Sequence, residues 1–233
     1  MRPPFLNVSV AFISTLLVVH PATALTKPEE AKAPNELPAK APATNSASEE
    51  VIQRAEKIVA KLSLPSSEQH ARIRDIVAQQ YTRLASIHDA RDEALNAAKA
   101  AASEPAAQSA RDTAAARQAD LHYAFIARLS AELTPGQVEQ IKDGITYGVL
   151  PNTFRVYQEM LPNLTNEQST QILAWLTEAR EHALDAGSSK EKHAWFGKYK
   201  GRINNYLSKA GYDMKQAERE MFARKNAEAK SAP

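Results

Sequence analysis

Residues able to do chemistry concentrate in one segment of the C-terminal third of the chain. Aromatic and basic side chains recur there at helical spacing, with Trp195, Tyr199, Arg202 and Tyr206 at i, i+4, i+7 and i+11. Rings with polar tips can stack on a flat ligand and still form hydrogen bonds. Between positions 190 and 202 there are five Lys or Arg residues against one Glu, a local charge of +4. These residue types favour a polar ligand that carries negative charge.

Glycine is distributed as unevenly as the aromatic residues. All seven glycines fall between Gly136 and Gly211, and both tryptophans lie in the same region. Gly197 and Gly201 stand one turn apart in a predicted helix, where each costs about 1 kcal/mol relative to alanine. Close approach of a ligand and close packing of another helix both explain two such glycines. The sequence leaves both explanations open.

We therefore expect a ligand-binding site on the helix over positions 190–206, joined by the loop over 142–151. The ligand expected is a carbohydrate or another small polar molecule, with an acidic glycan favoured. Rings would stack on sugar faces, while amide and basic groups would bind hydroxyls or a uronate carboxylate. The predicted contact residues are Lys190, His193, Trp195, Lys198, Tyr199, Arg202, Asn204, Asn205, Tyr206 and Tyr147.

No set of residues identifies a catalytic centre. Tyr199 or His193 could act as the base in β-elimination of a uronate, with Lys or Arg neutralising its carboxylate, but no pattern establishes that geometry. Whether the chain is an enzyme stays open. Glu178, His182 and Asp185 share one helix face, which offers few ligands and no second nearby histidine. We predict no metal and no cofactor.

Hydrophobic periodicity predicts an all-α fold, a single multi-helix domain resembling a bundle. Apolar residues recur every three to four positions from Ser48 onward, and no stretch of strand length alternates apolar and polar residues. The predicted helices cover Val51–Leu62, Ile73 to near Ala102, Pro105 to about Leu133, Pro135–Tyr147, Pro151–Leu161, Asn166–Ala186, Ser189–Ser208 and Asp213 to about Ala227.

Three predicted helix starts share a capping pattern. Ser66, Thr134 and Thr165 each stand three residues before a glutamine, as in a capping box. The last two follow a leucine, and Leu-Thr-x-x-Gln resembles the motif of small periplasmic helical stress chaperones. The alternative function is therefore a helical interaction protein that cradles unfolded clients on its basic aromatic face.

The first 47 residues predict export. Arg2 precedes an apolar run over Phe5–Val19, and Ala22-Thr23-Ala24 supplies the small residues that signal peptidase needs. Four prolines follow before position 48, a composition typical of a disordered linker. The expected organisation is a signal peptide at 1–24, a linker at 25–47, a helical domain at 48–213 and a charged C-terminal helix or tail at 214–233. Cleavage near Ala24 would leave the protein in the periplasm or outside the cell.

Bulk composition excludes several classes of protein. The formal net charge is +2 over 233 residues, which predicts neither nucleic acid nor membrane as a partner. No stretch reaches the ~18 consecutive apolar residues of a spanning helix, so stable membrane insertion is not expected. Absence of cysteine excludes disulfides, thiolate catalysis and Cys-ligated zinc. The oligomeric state is unknown from the sequence.

A family resemblance rests on four stretches of the chain. They are Lys142–Pro151, Met160–Thr165, Glu178–Glu181 and the long run Asp185–Asp213. Together they resemble a secreted bacterial family catalogued as a domain of unknown function, over roughly Glu50–Asp213. That family is sometimes described as sugar-binding, and its members often accompany polysaccharide-degrading systems. The resemblance implies a place and a context for binding, and it brings no catalytic residues.

Overall fold

The computed structural model describes residues 47–231, which form eight α-helices and no strand. The all-α prediction is confirmed, and each predicted helix is present. The predicted signal peptide and positions 25–46 of the predicted linker lie outside the described residues. The helices are α1 (Glu49–Val59), α2 (Ser67–Ala100), α3 (Glu104–Ser130), α4 (Pro135–Ile145), α5 (Val149–Met160), α6 (Asn166–Leu184), α7 (Ser189–Lys209) and α8 (Met214–Ser231).

The predicted caps begin three of these helices. Thr134 and Thr165 form complete capping boxes at the starts of α4 and α6, with the glutamine side chain returning to the backbone of the cap. Ser66 caps α2 by accepting from the Gln69 backbone N–H at 3.1 Å. The Gln69 amide instead donates to the carbonyl oxygen of Glu132 at 2.6 Å, which ties the start of α2 to the end of α3.

Helices α1 to α4 enclose the first hydrophobic core. The long helices α2 and α3 pack on each other, and α1 and α4 cover the end of this pair where α2 begins. The most enclosed side chains of this core belong to all four helices: Val59, Ile73, Val77, Leu129 and Ile141. Burial of such side chains provides most of the stabilising free energy, at about 25 cal/mol per Å² of apolar surface.

Helices α5 to α8 enclose the second core. It is built on Ile172 and Leu176 of α6 and on Phe196, Ile203 and Leu207 of α7. Helix α8 packs against α5 and α7 and buries Ala217 and Met221, so the segment after position 213 contributes to this core. The last residue of α6, Leu184, belongs to the first core. Helix α6 therefore joins the two cores, and the turn that follows it lies where they meet.

No helix between residues 47 and 231 combines the length and the apolar character needed to cross a bilayer.

Candidate functional site

A cleft of about 1040 Å³ opens where the two cores meet. Four parts of the chain line it: α1 with the turn after it, the middle of α2, the end of α4 with the start of α5, and the α6–α7 turn with the start of α7. The lining residues that carry polar side chains are Arg54, Lys57, Lys61, Tyr81, Gln140, Asp143, Tyr147, Asn152, Ser188, Ser189 and Lys192. Within residues 47–231 the lining thus has four basic side chains and one carboxylate.

Helix α1 and the turn that follows it supply three of the four cations. Arg54 and Lys57 lie on one face of α1, Lys61 lies two residues beyond the end of the helix, and all three are exposed. The Arg54 guanidinium lies over the Tyr81 ring, 5.5 Å from its centroid. Burial raises the pKa of Tyr81 to about 12, which keeps its phenol neutral at physiological pH. The positive charge of this wall is therefore not reduced by the phenol.

A glycine of α4 allows close contact with α1, which also packs on α2. A Cβ atom placed on Gly144 would lie 2.6 Å from Cγ2 of Ile58, closer than atoms of two side chains can approach. Glycine at this position lets the two helices touch, and Gly144 itself lines the cleft. The contact brings the basic face of α1 next to the α4–α5 turn.

The α4–α5 turn has two successive residues in the left-handed region. Tyr147 has φ of 61° and Gly148 has φ of 65°. This conformation is unfavourable for tyrosine, and such strain is concentrated at functional sites. Tyr147 is 52% exposed, and its ring stacks on His193 of α7 with centroids 5.4 Å apart. The strained turn therefore holds an aromatic ring at the rim of the cleft.

The α6–α7 turn forms the opposite wall. A Cβ on Gly187 would lie 3.0 Å from the His88 ring, so glycine keeps this turn against α2. The His88 Nε2 atom lies 2.9 Å from the carbonyl oxygen of Asp185. Ser188 caps α7 by accepting from the Glu191 backbone N–H at 3.2 Å. These contacts place the first turn of α7 in the cleft wall.

Lys192 is the one buried cation of the lining, with 5% of its surface exposed. Its amine donates to the carbonyl oxygens of Ala183 at 2.8 Å and Leu184 at 3.2 Å. Burial lowers the pKa of Lys192 to about 8. At neutral pH the amine is therefore mostly charged and adds to the positive potential of the cleft.

An ionic network lies behind the cleft. The guanidinium of Arg180, which is buried, binds the carboxylates of Asp143 at 2.8 Å and of Glu139. The one carboxylate of the lining, Asp143, thus pairs with a guanidinium that it shares with Glu139. His122 Nδ1 lies 3.0 Å from the Asp185 carboxylate, and this hydrogen bond raises the His122 pKa. Across residues 47–231, no three His, Asp or Glu side chains are arranged to hold a metal ion.

The structure divides the sequence-predicted contact residues between the cleft and other surfaces. Tyr147 lines the cleft, and His193 contacts the Tyr147 ring. Lys190 is exposed in the first turn of α7, beside the lining residue Ser189. These three residues and the start of α7 are the part of the prediction that the fold brings to the cleft.

The remaining aromatic residues of α7 pack against α6. Trp195 stacks on His182 with ring centroids 4.3 Å apart. The Lys198 amine lies over the same Trp195 ring, 4.9 Å from its centroid. Tyr199 is buried in the second core, 5% exposed. Tyr199 therefore has no access to a ligand in the cleft as a base.

Tyr206 and Arg202 both contact the ring of Trp175 on α6. Tyr206 meets it edge-on at 5.2 Å, and the Arg202 guanidinium lies over it at 4.5 Å. Asn205 lies in the same shallow groove. The rings of this surface are occupied by side chains of the protein itself, which leaves less aromatic surface for a ligand.

Asn204 lies on a different face of α7. It accepts a hydrogen bond from the Tyr157 hydroxyl at 2.7 Å, in a groove between α5, α7 and α8. The glycines Gly197 and Gly201 have no neighbouring atom within 4 Å of an added Cβ. Close packing of another of the eight helices described therefore does not explain them.

Sequence reasoning missed the basic wall of the cleft. Arg54, Lys57 and Lys61 carry a detectable signal, since their spacing places three cations on one face of a predicted helix. Lys192 was counted only as part of a charged run. Nothing in the sequence indicates that α1 lies beside the start of α7, because that contact depends on how the two cores meet.

The family model described as "Protein of unknown function (DUF3826)" matches residues 48–227 of the chain. The chain therefore belongs to this family, and the match includes most of α8. No curated protein matches the chain.

Proposed function

We propose that this member of the DUF3826 family binds an acidic saccharide in the cleft between α1, the α4–α5 turn and the start of α7. The observation that carries the proposal is the charge of the lining. Arg54, Lys57, Lys61 and Lys192 share the lining with one carboxylate, Asp143, which pairs with Arg180. Arg54 also pairs with Glu50, outside the lining, at 2.9 Å, which leaves the cleft with a surplus of positive charge. A cleft with this surplus of positive charge favours a ligand with a carboxylate or another anionic group.

The uncharged part of the lining favours a saccharide over a simple anion. Gln140, Asn152, Ser188 and Ser189 supply amides and hydroxyls, the groups that exchange hydrogen bonds with sugar hydroxyls. The Tyr147 ring stacks on His193 but remains half-exposed, so it still offers apolar surface at the rim, on which a sugar ring can stack. The cleft is wide enough for more than a single small ion.

The test compares glucuronate with glucose by isothermal titration calorimetry. The two sugars differ in the carboxylate, so the expected result is binding of glucuronate that weakens at higher salt and much weaker binding of glucose. Each charge-assisted hydrogen bond contributes about 1.5–3 kcal/mol, so the double variant Lys57→Gln/Lys61→Gln should lose at least roughly tenfold in affinity. Lys99→Gln, an exposed lysine near the far end of α2, is the matched control.

Two results would count against the proposal. Equal affinity for glucose and glucuronate would show that the charge of the cleft does not select the ligand. Suppression of aggregation of unfolded proteins, without binding of either sugar, would favour the alternative of a chaperone-like interaction protein.

We further propose that the protein acts outside the cytoplasm. Support comes from the sequence of the first 24 residues, in which an apolar run follows Arg2 and precedes Ala22-Thr23-Ala24. Intact mass of the protein recovered from the periplasm or medium tests export, with a first residue of Leu25 expected. Recovery of the full-length chain from the cytoplasm alone would contradict it.

A further inference from the structure

A second groove lies on the other side of α5 from the α4–α5 turn. It has a volume of about 480 Å³ and runs between α5, α7 and α8. Thr153, Val156 and Met160 line it from α5, Asn204 from α7 and Met214 from α8. Nothing in the proposed function so far uses this groove.

One residue connects the groove to the cleft. Asn152, in the first turn of α5, lines both of them. From this residue the groove follows α5 to its last residue, Met160, whereas the cleft begins at Gly148 just before the helix. Helix α5 has 12 residues, so at 1.5 Å per residue the path from the turn before α5 to Met160 is roughly 18 Å long. That length accommodates several linked sugar units.

The chemistry of the groove differs from that of the cleft. Its centre combines the uncharged polar side chains of Thr153 and Asn204 with the apolar side chains of Val156, Met160 and Met214. Amide and hydroxyl groups suit neutral sugar hydroxyls, and apolar side chains suit the C–H faces of sugar rings. The charged residues at its edge, two lysines and one glutamate, leave little net charge.

The polar centre of the groove is held in one orientation. The Tyr157 hydroxyl donates to Oδ1 of Asn204 at 2.7 Å. Burial raises the pKa of Tyr157 to about 12, so the hydroxyl keeps the proton that it donates. Because its oxygen is engaged, Asn204 keeps the two N–H donors of its amide for a ligand.

We propose that the groove is a second subsite continuous with the cleft, and that the ligand is an oligosaccharide with an acidic unit in the cleft and neutral units along α5. This inference rests on the proposed function, because it needs an acidic unit in the cleft. It adds the size of the ligand and the order of its units.

The test uses three ligands: glucuronate, xylotriose, and an aldotetraouronic acid in which one glucuronate is linked to xylotriose. Wild-type protein should bind the aldotetraouronic acid at least tenfold more tightly than glucuronate. Thr153→Trp places a large ring in the groove and should abolish this gain while leaving glucuronate affinity within twofold. Gln158→Trp places the same ring on the exposed face of α5, and should change neither affinity.

Each outcome separates the two proposals. If glucuronate binds and the longer ligand binds no more tightly, or if the gain persists in Thr153→Trp, the second subsite is wrong and the cleft remains. If xylotriose binds as tightly as the aldotetraouronic acid, the proposed order of acidic and neutral units is wrong. If neither acidic ligand binds, the proposed function fails, and this inference fails with it.

Discussion

The amine of Lys192 donates a hydrogen bond of 2.8 Å to the carbonyl oxygen of Ala183, in the last turn of α6. Helix ends leave carbonyl groups without partners inside the helix, and a lysine of the next helix here satisfies one of them. The same side chain lines the cleft. A single buried amine therefore joins α6 to α7 and contributes to the charge of the candidate site.

Burial of this amine predicts a pH dependence of stability. The pKa of Lys192 falls from 10.5 to about 8 in the folded protein. Between these values the unfolded chain binds the proton and the folded chain does not, so raising the pH through this window stabilises the fold. We expect the free energy of unfolding of wild type to rise, relative to that of Lys192→Met, between pH 8 and pH 10. Urea denaturation at several pH values measures it, and parallel pH profiles for the two proteins would contradict the prediction.

Substitution of two glycines by alanine should change the free energy of unfolding in opposite directions. Gly144→Ala places a methyl 2.6 Å from Cγ2 of Ile58, so the Ile58 side chain or α1 must shift, and overpacking of this kind costs about 1–3 kcal/mol. Gly201→Ala meets no atom within 4 Å, and alanine is favoured over glycine in a helix by up to about 1 kcal/mol. Chemical denaturation of both variants measures the two effects. A Gly144→Ala protein as stable as wild type would show that this contact does not position α1.

The fold could be predicted because its determinants are local. The capping boxes that begin with Thr134 and Thr165 each span four residues, and each predicts the start of a helix. The apolar faces of α2 and α7 are predicted from the spacing of apolar residues alone. Such signals need no knowledge of which helix packs on which. They predict eight helices and their ends, but not how the helices pack.

The cleft could not be predicted because its walls are distant in sequence. The basic face of α1 and the start of α7 line one cleft because α1 packs against both α2 and α4. Helical periodicity likewise predicts that Trp195 and Tyr199 lie on the same face of α7. Only the packing of α7 against α6 shows that Tyr199 lies in the core. Of the contact residues predicted on sequence, Tyr147 is the one that lines the cleft.

Substitutions of Tyr147 should affect stability and ligand binding differently, because the residue lies in a strained turn. Glycine adopts a φ of 61° without cost, whereas alanine retains the strain, which is about 1–2 kcal/mol for residues other than glycine. Tyr147→Gly should therefore be more stable than Tyr147→Ala. The difference in unfolding free energy is reduced by the greater conformational entropy that glycine gives the unfolded chain. Both variants lack the ring and should bind glucuronate more weakly than wild type. Thermal denaturation and calorimetry test the pair, and unchanged affinity in both would remove Tyr147 from the site.

Three residues of α7 should differ in their effect on stability. Tyr199 is 5% exposed in the second core, so Tyr199→Ala should cost about 3–5 kcal/mol. Trp195 is partly buried and stacked on His182, so Trp195→Ala should cost less. The Arg202 side chain is 55% exposed and contacts Glu178 and Trp175, and exposed pairs of this kind contribute about 1 kcal/mol or less.

Comparison of Arg202→Ala with a variant of the cleft tests whether glucuronate binds in the cleft or on the α6–α7 surface. Arg202→Ala leaves the cleft lining unchanged and should keep the affinity of wild type for glucuronate, measured by calorimetry on protein shown to be folded by circular dichroism. Lys57→Gln is the matched change of charge within the cleft, and it should weaken binding. If Arg202→Ala weakens glucuronate binding more than Lys57→Gln does, the ligand binds on α7 beside Trp175. The surface above Gly201 would then be its place, because among residues 47–231 no other part of the protein lies within 4 Å of a Cβ there.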